Sequence, residues 1–198
     1  LVRLQRGAAA LEASELYRFL PFLDHLERLR SLWPSDPSRR AGLPRLSEIL
    51  SRLGDFREVR RRLARSVSST GEILDTASPE LARIRQDLFQ RRQHATDLLE
   101  GLRGRLHDDR EDTFVTLREG RYVLSIRSHH RSALPGLLHG RSQSGQSVLV
   151  EPLDAVDANN RVAEAREEEK REEARIVQEL TAALRGEAEG LADGWDAA

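Results

Sequence analysis

The sequence predicts a mainly α-helical protein with one small β insertion. Two observations support this fold class. Apolar residues recur every three or four positions over most of the chain, and a block at 113–151 instead breaks into short β-branched runs separated by turn residues. The helical spacing returns after this block. We therefore predict a helical core and two long antiparallel lever helices that carry a small antiparallel β tip.

Two helical segments precede the first lever helix. Residues 3–33 carry leucines at helical spacing, and Pro21 is a position where this helix is expected to kink or split. A second helical run is predicted over 45–65, with one apolar and one basic face. The arginines of the basic face are Arg52, Arg57, Arg60, Arg61, Arg62 and Arg65. We assign 1–78 to a helical core and interpret the basic face as a solvated surface, with nucleic-acid contact as the alternative.

The outgoing lever helix is predicted to begin at Ser78-Pro79-Glu80. Serine is a favoured N-cap, proline fits the first helical position, and an acidic residue suits the first turn. We predict a helix over 79–107 within a lever segment at 79–112. Its apolar seam, at steps of three, four or seven, consists of Leu81, Ile84, Leu88, Ala95, Leu98, Leu102 and Leu106. This narrow seam is typical of a coiled coil.

The tip and the returning lever helix follow. The runs "TFVTL", "YVLSI", "GLLHG" and "SVLVE" within 113–151 predict two hairpins or one four-stranded antiparallel sheet. Pro152 is then predicted to open a helix over about 152–190, in a lever segment at 152–198. The run "EEEKREE" at its centre has no apolar residue, which predicts an exposed stalk held by ion pairs such as Glu172–Arg175.

Composition excludes several function classes. The 198 residues carry a net charge of −1, so the whole chain has no general attraction to nucleic acid or anionic lipid. There is no cysteine, and Lys170 is the only lysine, so neither a cysteine nucleophile nor a GxxxxGK[ST] phosphate loop is present. We predict no catalytic residue, no metal site and no bound cofactor within the chain. No apolar run is long enough to span a membrane, and we expect a cytoplasmic protein without a membrane partner. The absence of methionine leads us to expect a piece of a longer protein.

The tip is locally basic. Residues 113–150 hold five arginines against the single acid Glu119, a local net charge of +4. Such a surface favours sequence-independent, salt-sensitive contact with phosphates. The predicted nucleic-acid-binding residues are Arg118, Arg121, Arg127, Arg131, Arg141, Ser142, Gln143 and Ser144. The alternative is a sheet whose charged edges prevent aggregation. His129 and His130 do not suggest a metal site, because neighbours on a strand point to opposite faces. Asn159 and Asn160 are predicted to bond to the tip or to cap backbone groups.

Three stretches carry a family resemblance: "GEILDTASPELARIRQDL" at 71–88, "LREGRYVLSI" at 117–126 and "LPGLLHGRSQSGQSVLVEPLDAVDANNRV" at 134–162. Their order and spacing resemble the second bacterial MutS family, paralogues of the mismatch-repair protein MutS. Recurring motif positions of that family coincide with His139, Ser142, Ser144, Gly145, Glu151, Pro152, Asn159 and Asn160. The chain departs from the family at Gly140, where an acidic residue is usual, and near Val150, where an aromatic residue is usual.

The resemblance implies a MutS-like core, lever and clamp placed before an ABC-type ATPase domain of a homodimer that uses ATP and Mg²⁺. It implies an Smr-type endonuclease domain as a common further part of the parent protein. It also implies binding of branched or mismatched DNA, with suppression of recombination, or binding of collided ribosomes and their rRNA, with ribosome rescue. The alternative function is a rigid helical spacer whose tip contacts another protein and does not bind nucleic acid.

Overall fold

The computed structural model describes residues 10–31, 45, 54–106, 113–142, 144–187, 190 and 192. Within these residues the helices of eight or more residues are α1 (Ala13–Ser31), α2 (Arg57–Ser66), α3 (Pro79–Arg105) and α4 (Val156–Gly186). Its strands are β1 (Phe114–Arg118), β2 (Arg121–Arg127), β3 (Gly136–Arg141) and β4 (Ser147–Pro152). The chain divides into two compact units, one from 1–82 with 171–198 and one from 83–170. The predicted class, mainly helical with a small antiparallel sheet, is confirmed.

The first unit is built on an apolar core to which every helix contributes. Its largest fully buried side chains include Leu16, Leu23, Leu26, Phe56, Leu63, Leu81, Leu180 and Leu184. The Thr181 hydroxyl joins two parts of this unit, because it accepts from the Leu11 N–H at 3.1 Å and donates to the Val177 carbonyl at 2.7 Å. This core is formed by residues at the helical spacing from which the elements were predicted.

The two short helices differ from their predicted bounds. Helix α1 continues through Pro21, so a split at that residue is wrong, and the kink stays a prediction. Helix α2 begins at Arg57 rather than at 45, since residues 54–56 are not helical. The Asp55 carboxylate accepts from the Arg57 N–H at 3.2 Å, which satisfies a backbone donor that lacks a partner at a helix start. The predicted residues 46–53 lie outside the described residues.

The second unit contains antiparallel parts of α3 and α4. Arg85 bonds to Glu169 at 2.8 Å, and Arg91 donates to the Arg161 carbonyl at 3.1 Å. Residue numbers rise along α3 while those of the contacting residues fall along α4, so the predicted antiparallel pairing of the two helices is confirmed. Their apolar contact consists largely of small side chains: Leu88, Ala95, Ala158, Val162 and Ala165.

The exposed stalk predicted for the centre of α4 is only partly right. The Glu169 side chain is 22% exposed and pairs with Arg85 in the second unit. In the first unit Glu172 is buried, where its carboxylate accepts from the Ser78 hydroxyl at 2.7 Å and forms the predicted pair with Arg175. A run without apolar residues can therefore still contact a neighbouring helix, through partly buried ion pairs and hydrogen bonds.

The four strands form one antiparallel sheet in the order β1-β2-β4-β3. A 3₁₀ segment, Ser128–Ala133, carries the chain from β2 past β4 to the outer strand β3. One face of the sheet packs on the end of α3 through Leu99, Leu124, Ile126, Val148 and Val150. The predicted seam residues Leu98, Leu102 and Leu106 pack partly buried against this cluster, and Leu99, which the seam did not include, is fully buried in it.

Helix α4 begins later than predicted. Pro152 ends strand β4 with extended dihedral angles (φ −60°, ψ 144°), and a 3₁₀ turn at Leu153–Ala155 precedes Val156. The prediction that Pro152 opens the helix is therefore wrong. The reason is that φ near −65° suits a strand end as well as a helix start, so proline alone does not distinguish them.

Candidate nucleic-acid interface

The structure places the predicted binding residues at two ends of the sheet. We call the end that carries Arg127, Arg141, Ser142 and residues 144–146 the loop end. We call the opposite end, with Arg118 and the β1–β2 turn, the turn end. In the strand register Arg118 lies opposite Arg121, whereas Arg127 lies opposite Ser147. The single basic surface expected from the sequence is thus two separate groups.

At the loop end the two arginines occupy different faces of the sheet. Arg127 lies opposite Ser147, and Arg141 lies opposite the next residue of β4, Val148. Directly opposed residues share a face, and successive residues of a strand alternate between faces. Arg141 is exposed and Arg127 is half-buried. A ligand at this end would meet a cationic side chain from either face.

The β3–β4 loop is shaped by its own serines. The Ser142 N–H donates to the Ser147 carbonyl at 2.9 Å, and the Ser142 hydroxyl oxygen accepts from the Ser147 N–H at 3.0 Å. Ser144 is exposed, with its hydroxyl 3.3 Å from that of Ser142. Gly145 takes φ +71°, which suits glycine. Ser142 therefore stabilises the turn, and Ser144 is the more accessible hydroxyl. The predicted Gln143 lies outside the described residues.

Arg118, at the turn end, is exposed and has Glu119 as a neighbour, with 3.7 Å between the Nε and Oε1 atoms. The turn that follows is fastened by a residue that the sequence did not single out. Arg166 of α4 donates to the Gly120 carbonyl at 2.7 Å. Because Glu119 balances its charge, Arg118 contributes less to the field of the sheet than the sequence suggested.

Arg121 is the predicted site residue whose environment differs most from expectation. Its Nε donates to one oxygen of Glu151 at 2.7 Å and its Nη2 to the other at 2.5 Å, a bidentate pair. Nη2 also reaches the Asn160 side-chain oxygen at 3.0 Å. The side chain is 25% exposed and that of Glu151 is fully buried. The guanidinium is therefore directed to an internal carboxylate, and we assign Arg121 a structural role.

Glu151 accepts hydrogen bonds from three different elements. Besides Arg121 of β2, the His139 Nε2 of β3 lies 2.7 Å from one oxygen, and the Asn159 amide of α4 donates to the other at 2.9 Å. We call these four residues the Glu151 cluster. Burial raises the pKa of Glu151, but the bonds from Arg121, His139 and Asn159 outweigh burial and hold that pKa below its ordinary value. The carboxylate is thus ionised and satisfied at neutral pH.

Asn159 also completes the edge of β2. Its amide oxygen accepts from the Tyr122 N–H at 2.8 Å, and its amide nitrogen donates to the Tyr122 carbonyl at 2.9 Å. The β2–β4 register extends only as far as Leu124 and Val150, and two residues further on β4 has Pro152, which lacks an N–H donor. The asparagine amide therefore takes the place of a peptide group. The predicted role of Asn159 and Asn160 as partners of the tip is confirmed.

Arg131 also binds within the protein. Its Nη1 donates to the Leu134 carbonyl and its Nη2 to the Gly136 carbonyl, both at 2.7 Å. These bonds hold the chain where the 3₁₀ segment enters β3. Arg131 therefore has a structural role by its geometry, and the loop end retains Arg127 and Arg141 as its cationic strand residues.

The histidines are spread over the sheet. The rings of His129 and His130 are tilted by 46° with centroids 4.0 Å apart, whereas His139 belongs to the Glu151 cluster. Among the described residues no group of three or more His, Asp or Glu side chains has metal-binding geometry. No arrangement in this part of the chain therefore indicates a metal centre.

The basic face of α2 is largely paired. Arg60 forms an ion pair with Asp24, Arg61 lies 2.7 Å from Glu58, and Arg62 lies 3.6 Å from Glu179. Arg57 is bound by the Asp55 carboxylate. These carboxylates neutralise much of the positive charge that the sequence indicated, which supports the interpretation of this face as a solvated, internally paired surface.

Sequence comparison identifies relatives over nearly the whole chain. It is 36% identical over 187 residues to the Endonuclease MutS2 of Thermomicrobium roseum, which covers 94% of the chain and 24% of that protein. The chain is homologous to a region of the MutS2 proteins. The Endonuclease MutS2 of Pelotomaculum thermopropionicum is 35% identical over 178 residues, and that of Acetivibrio thermocellus is 32% identical over 193 residues. The chain spans about a quarter of the length of these curated MutS2 relatives, at 22–24%. No protein-family model matches the chain.

Within the described residues, no helix combines the length and the apolar character needed to cross a membrane. The exposed large apolar side chains on the outer strands of the sheet are Phe114, Leu117, Leu137 and Leu138, each about half exposed. They are an alternative contact surface to the arginines of the loop end.

Proposed function

We propose that this chain is the core, lever and clamp region of a MutS-type ATPase and that its sheet contacts nucleic-acid phosphates at the loop end. Homology to MutS2 proteins supports the first part. In this proposal 1–78 is part of the core, 79–112 and 152–198 are the lever segments, and 113–151 is the clamp tip. ATP and Mg²⁺ bind in an ATPase domain outside this chain, and the longer protein is cytoplasmic and homodimeric.

The observation that carries the binding proposal is the exposed Arg141 beside the hydroxyl-bearing loop at 142–146, with Arg127 on the other face of the sheet. Both acids of the tip, Glu119 and Glu151, lie at the turn end. Among the described residues of the tip the loop end thus carries arginines and no acid, which favours anions there although the whole chain has a net charge of −1. Contacts of this kind bind the backbone without reading base sequence.

The relatives are named as endonucleases, and we propose that a nuclease domain belongs to the remainder of the longer protein. Branched or mismatched DNA is the partner tested first, and the ribosome, through its rRNA phosphates, is the second. In either case the lever helices α3 and α4 couple the nucleotide state of the ATPase to the clamp.

The test measures binding of a labelled four-way DNA junction by the 198-residue chain across a series of salt concentrations. Arg141→Gln is expected to weaken binding about tenfold at low salt. It should also lower the slope of log K against log salt by about one. Arg61→Gln removes the same charge from α2, where Glu58 pairs with the arginine, and should leave binding unchanged. If neither junction DNA nor ribosomes bind at low salt, the proposal is refuted.

The alternative is a rigid spacer whose tip contacts another protein. The half-exposed Leu137 and Leu138 on the outer strand β3 favour it. Salt separates the two functions, because phosphate contacts weaken steeply with added salt whereas apolar contacts do not. A partner retained at high salt and lost on Leu137→Ser would support the spacer function.

A further inference from the structure

Helix α4 is fastened to the turn end of the sheet by side chains from two points along its length. Arg166 donates through Nη1 to the Gly120 carbonyl in the β1–β2 turn at 2.7 Å. Two turns earlier on the helix, the Asn159 amide accepts from the Tyr122 N–H at 2.8 Å and donates to the Tyr122 carbonyl at 2.9 Å. The two points lie roughly 10 Å apart along the helix axis. A surface held at two such points resists rotation about either one, so these bonds fix an angle as well as a position.

Arg121 adds a third group of bonds to α4. Its Nη2 donates to the Asn160 side-chain oxygen at 3.0 Å and to the Val156 carbonyl at 3.4 Å. The bidentate pair with the buried Glu151 holds the guanidinium in place, and Glu151 also accepts from Asn159 at 2.9 Å. All of these residues lie in the second compact unit. The groups that join the sheet to α4 are therefore oriented by a buried carboxylate, which limits the freedom of the contact.

The sheet contacts the other lever helix, α3, in a different way. Leu99 is fully buried against the apolar face of the sheet, and Leu98 and Leu102 pack beside it. Arg103 adds a bond to the Thr113 carbonyl, which precedes β1, at 3.3 Å. Apolar contacts are not directional, and packed elements can slide over one another by small shifts. The directional bonds of α4 to residues 120–122 therefore determine the orientation of the sheet more closely than the packing on α3 does.

We propose that the bonds of Asn159, Asn160 and Arg166 with residues 120–122 form a joint that makes the sheet follow movements of α4. We call this set of bonds the α4 joint. The inference rests on the proposed function and adds the route of coupling to it: the nucleotide state reaches the clamp through α4 and these three positioning residues. They act through the sheet, since they bind its turn end and not the loop end, where Arg141 lies.

Pulsed electron paramagnetic resonance tests the joint in the 198-residue chain. The chain has no cysteine, so Arg141→Cys on β3 and Glu168→Cys on α4, both at exposed positions, carry the only two spin labels. The expected result is one narrow distance in the labelled chain. The double variant Arg166→Met, Asn160→Ala removes bonds of the joint and keeps the apolar stem of the arginine. It should replace the narrow distance by a broad distribution.

The control uses the same helix and the same substitution. Arg161→Met removes an exposed arginine of α4 from the labelled chain and should leave the distance narrow. Amide hydrogen exchange at 124–127 and 147–150 measures whether the sheet stays closed, and the double variant should exchange as slowly as the labelled chain. A distance as narrow in the double variant as in the labelled chain would overturn the proposal. Faster exchange together with the broad distribution would also overturn it, because these side chains would then only stabilise the sheet.

Binding of junction DNA by the longer protein separates this inference from the proposed function. ATP should change the affinity of the wild type by about 5- to 150-fold, and the double variant should reduce this factor to about twofold without altering the affinity measured in the absence of ATP. If ATP acts on the double variant as it does on the wild type, this inference is refuted and the proposed function stands. If the wild type binds neither junction DNA nor ribosomes, or binds them regardless of ATP, the proposed function fails. The route of coupling then fails with it, whatever the spin-label distances show.

Discussion

Replacement of Glu151 by glutamine should loosen the sheet without changing its shape. The substitution removes a fully buried charge that binds Arg121, His139 and Asn159, and it leaves the arginine without a counter-charge. Removing one partner of a fully buried ion pair costs about 3–5 kcal/mol. Because the Arg121 side chain is 25% exposed and water can reach it, we expect the lower part of that range, about 3 kcal/mol.

The assay is amide hydrogen exchange across β2 and β4, because the chain has two compact units and a single global unfolding transition is not assured. Loss of 3 kcal/mol corresponds to exchange roughly a hundredfold faster in these strands. The matched control is Glu119→Gln, which removes the same charge from a side chain that is 75% exposed. Exposed pairs contribute little, so this variant should change exchange by less than about 1 kcal/mol.

A double-mutant cycle with Arg121→Met isolates the ion pair from the other bonds of the Glu151 cluster. The two single changes should not add, and the coupling energy should be about 2 kcal/mol. A change below about 1 kcal/mol in Glu151→Gln would refute the reasoning. Strict additivity with Arg121→Met would refute it as well.

Four further outcomes follow from the same contacts. Acid should destabilise the sheet, because the pKa of Glu151 is lower in the folded state than its ordinary value of 4.5. The stabilisation by the ionised carboxylate is complete above pH 4.5 and is lost as the pH falls through the folded-state pKa. Urea denaturation at several pH values measures this loss. Gly136→Ala should cost about 2–3 kcal/mol in hydrogen exchange of the sheet, because a Cβ would lie 2.2 Å from the Glu151 carbonyl oxygen. Gly104→Ala should stabilise α3 by about 0.5–1 kcal/mol, measured as slower amide hydrogen exchange of that helix, since its methyl group meets no atom of the described residues within 4 Å. Ser78→Ala should lower the urea midpoint by an amount equivalent to about 1–2 kcal/mol, because a helix cap and a bond to Glu172 are both lost.

Sequence patterns predicted an element boundary correctly where the local residues favour a single structure. The Ser78 N-cap is confirmed by its bond to the Leu81 N–H at 2.9 Å, and α3 begins at Pro79 as predicted. Element boundaries were predicted wrongly where the same residue type suits both a strand end and a helix start. Pro152 suits both a strand end and a helix start, and only the pairing of β3 with β4 selects the strand.

The candidate site was harder to predict, because the charge of a side chain does not specify its partner. Arg121 and Arg127 are indistinguishable in sequence, both arginines within or beside an apolar strand run. The register places Arg121 opposite Arg118 at the turn end, within reach of Glu151, and it places Arg127 opposite Ser147. The sequence did carry a signal for the partner of Arg121. Glu151 follows the apolar run "SVLV", and a carboxylate in such a strand needs a partner when it is buried.

The sequence by itself determined which segments are helical, where the β insertion lies, and that the tip carries a positive charge, because these depend on local spacing and composition. Only the tertiary structure decided how that charge is used. Strand order and register bring Arg121 to Glu151, and they place Arg127 and Arg141 at the loop end. A buried carboxylate must be satisfied by whichever donors lie near it in space, and that proximity is set by contacts between residues distant in the sequence.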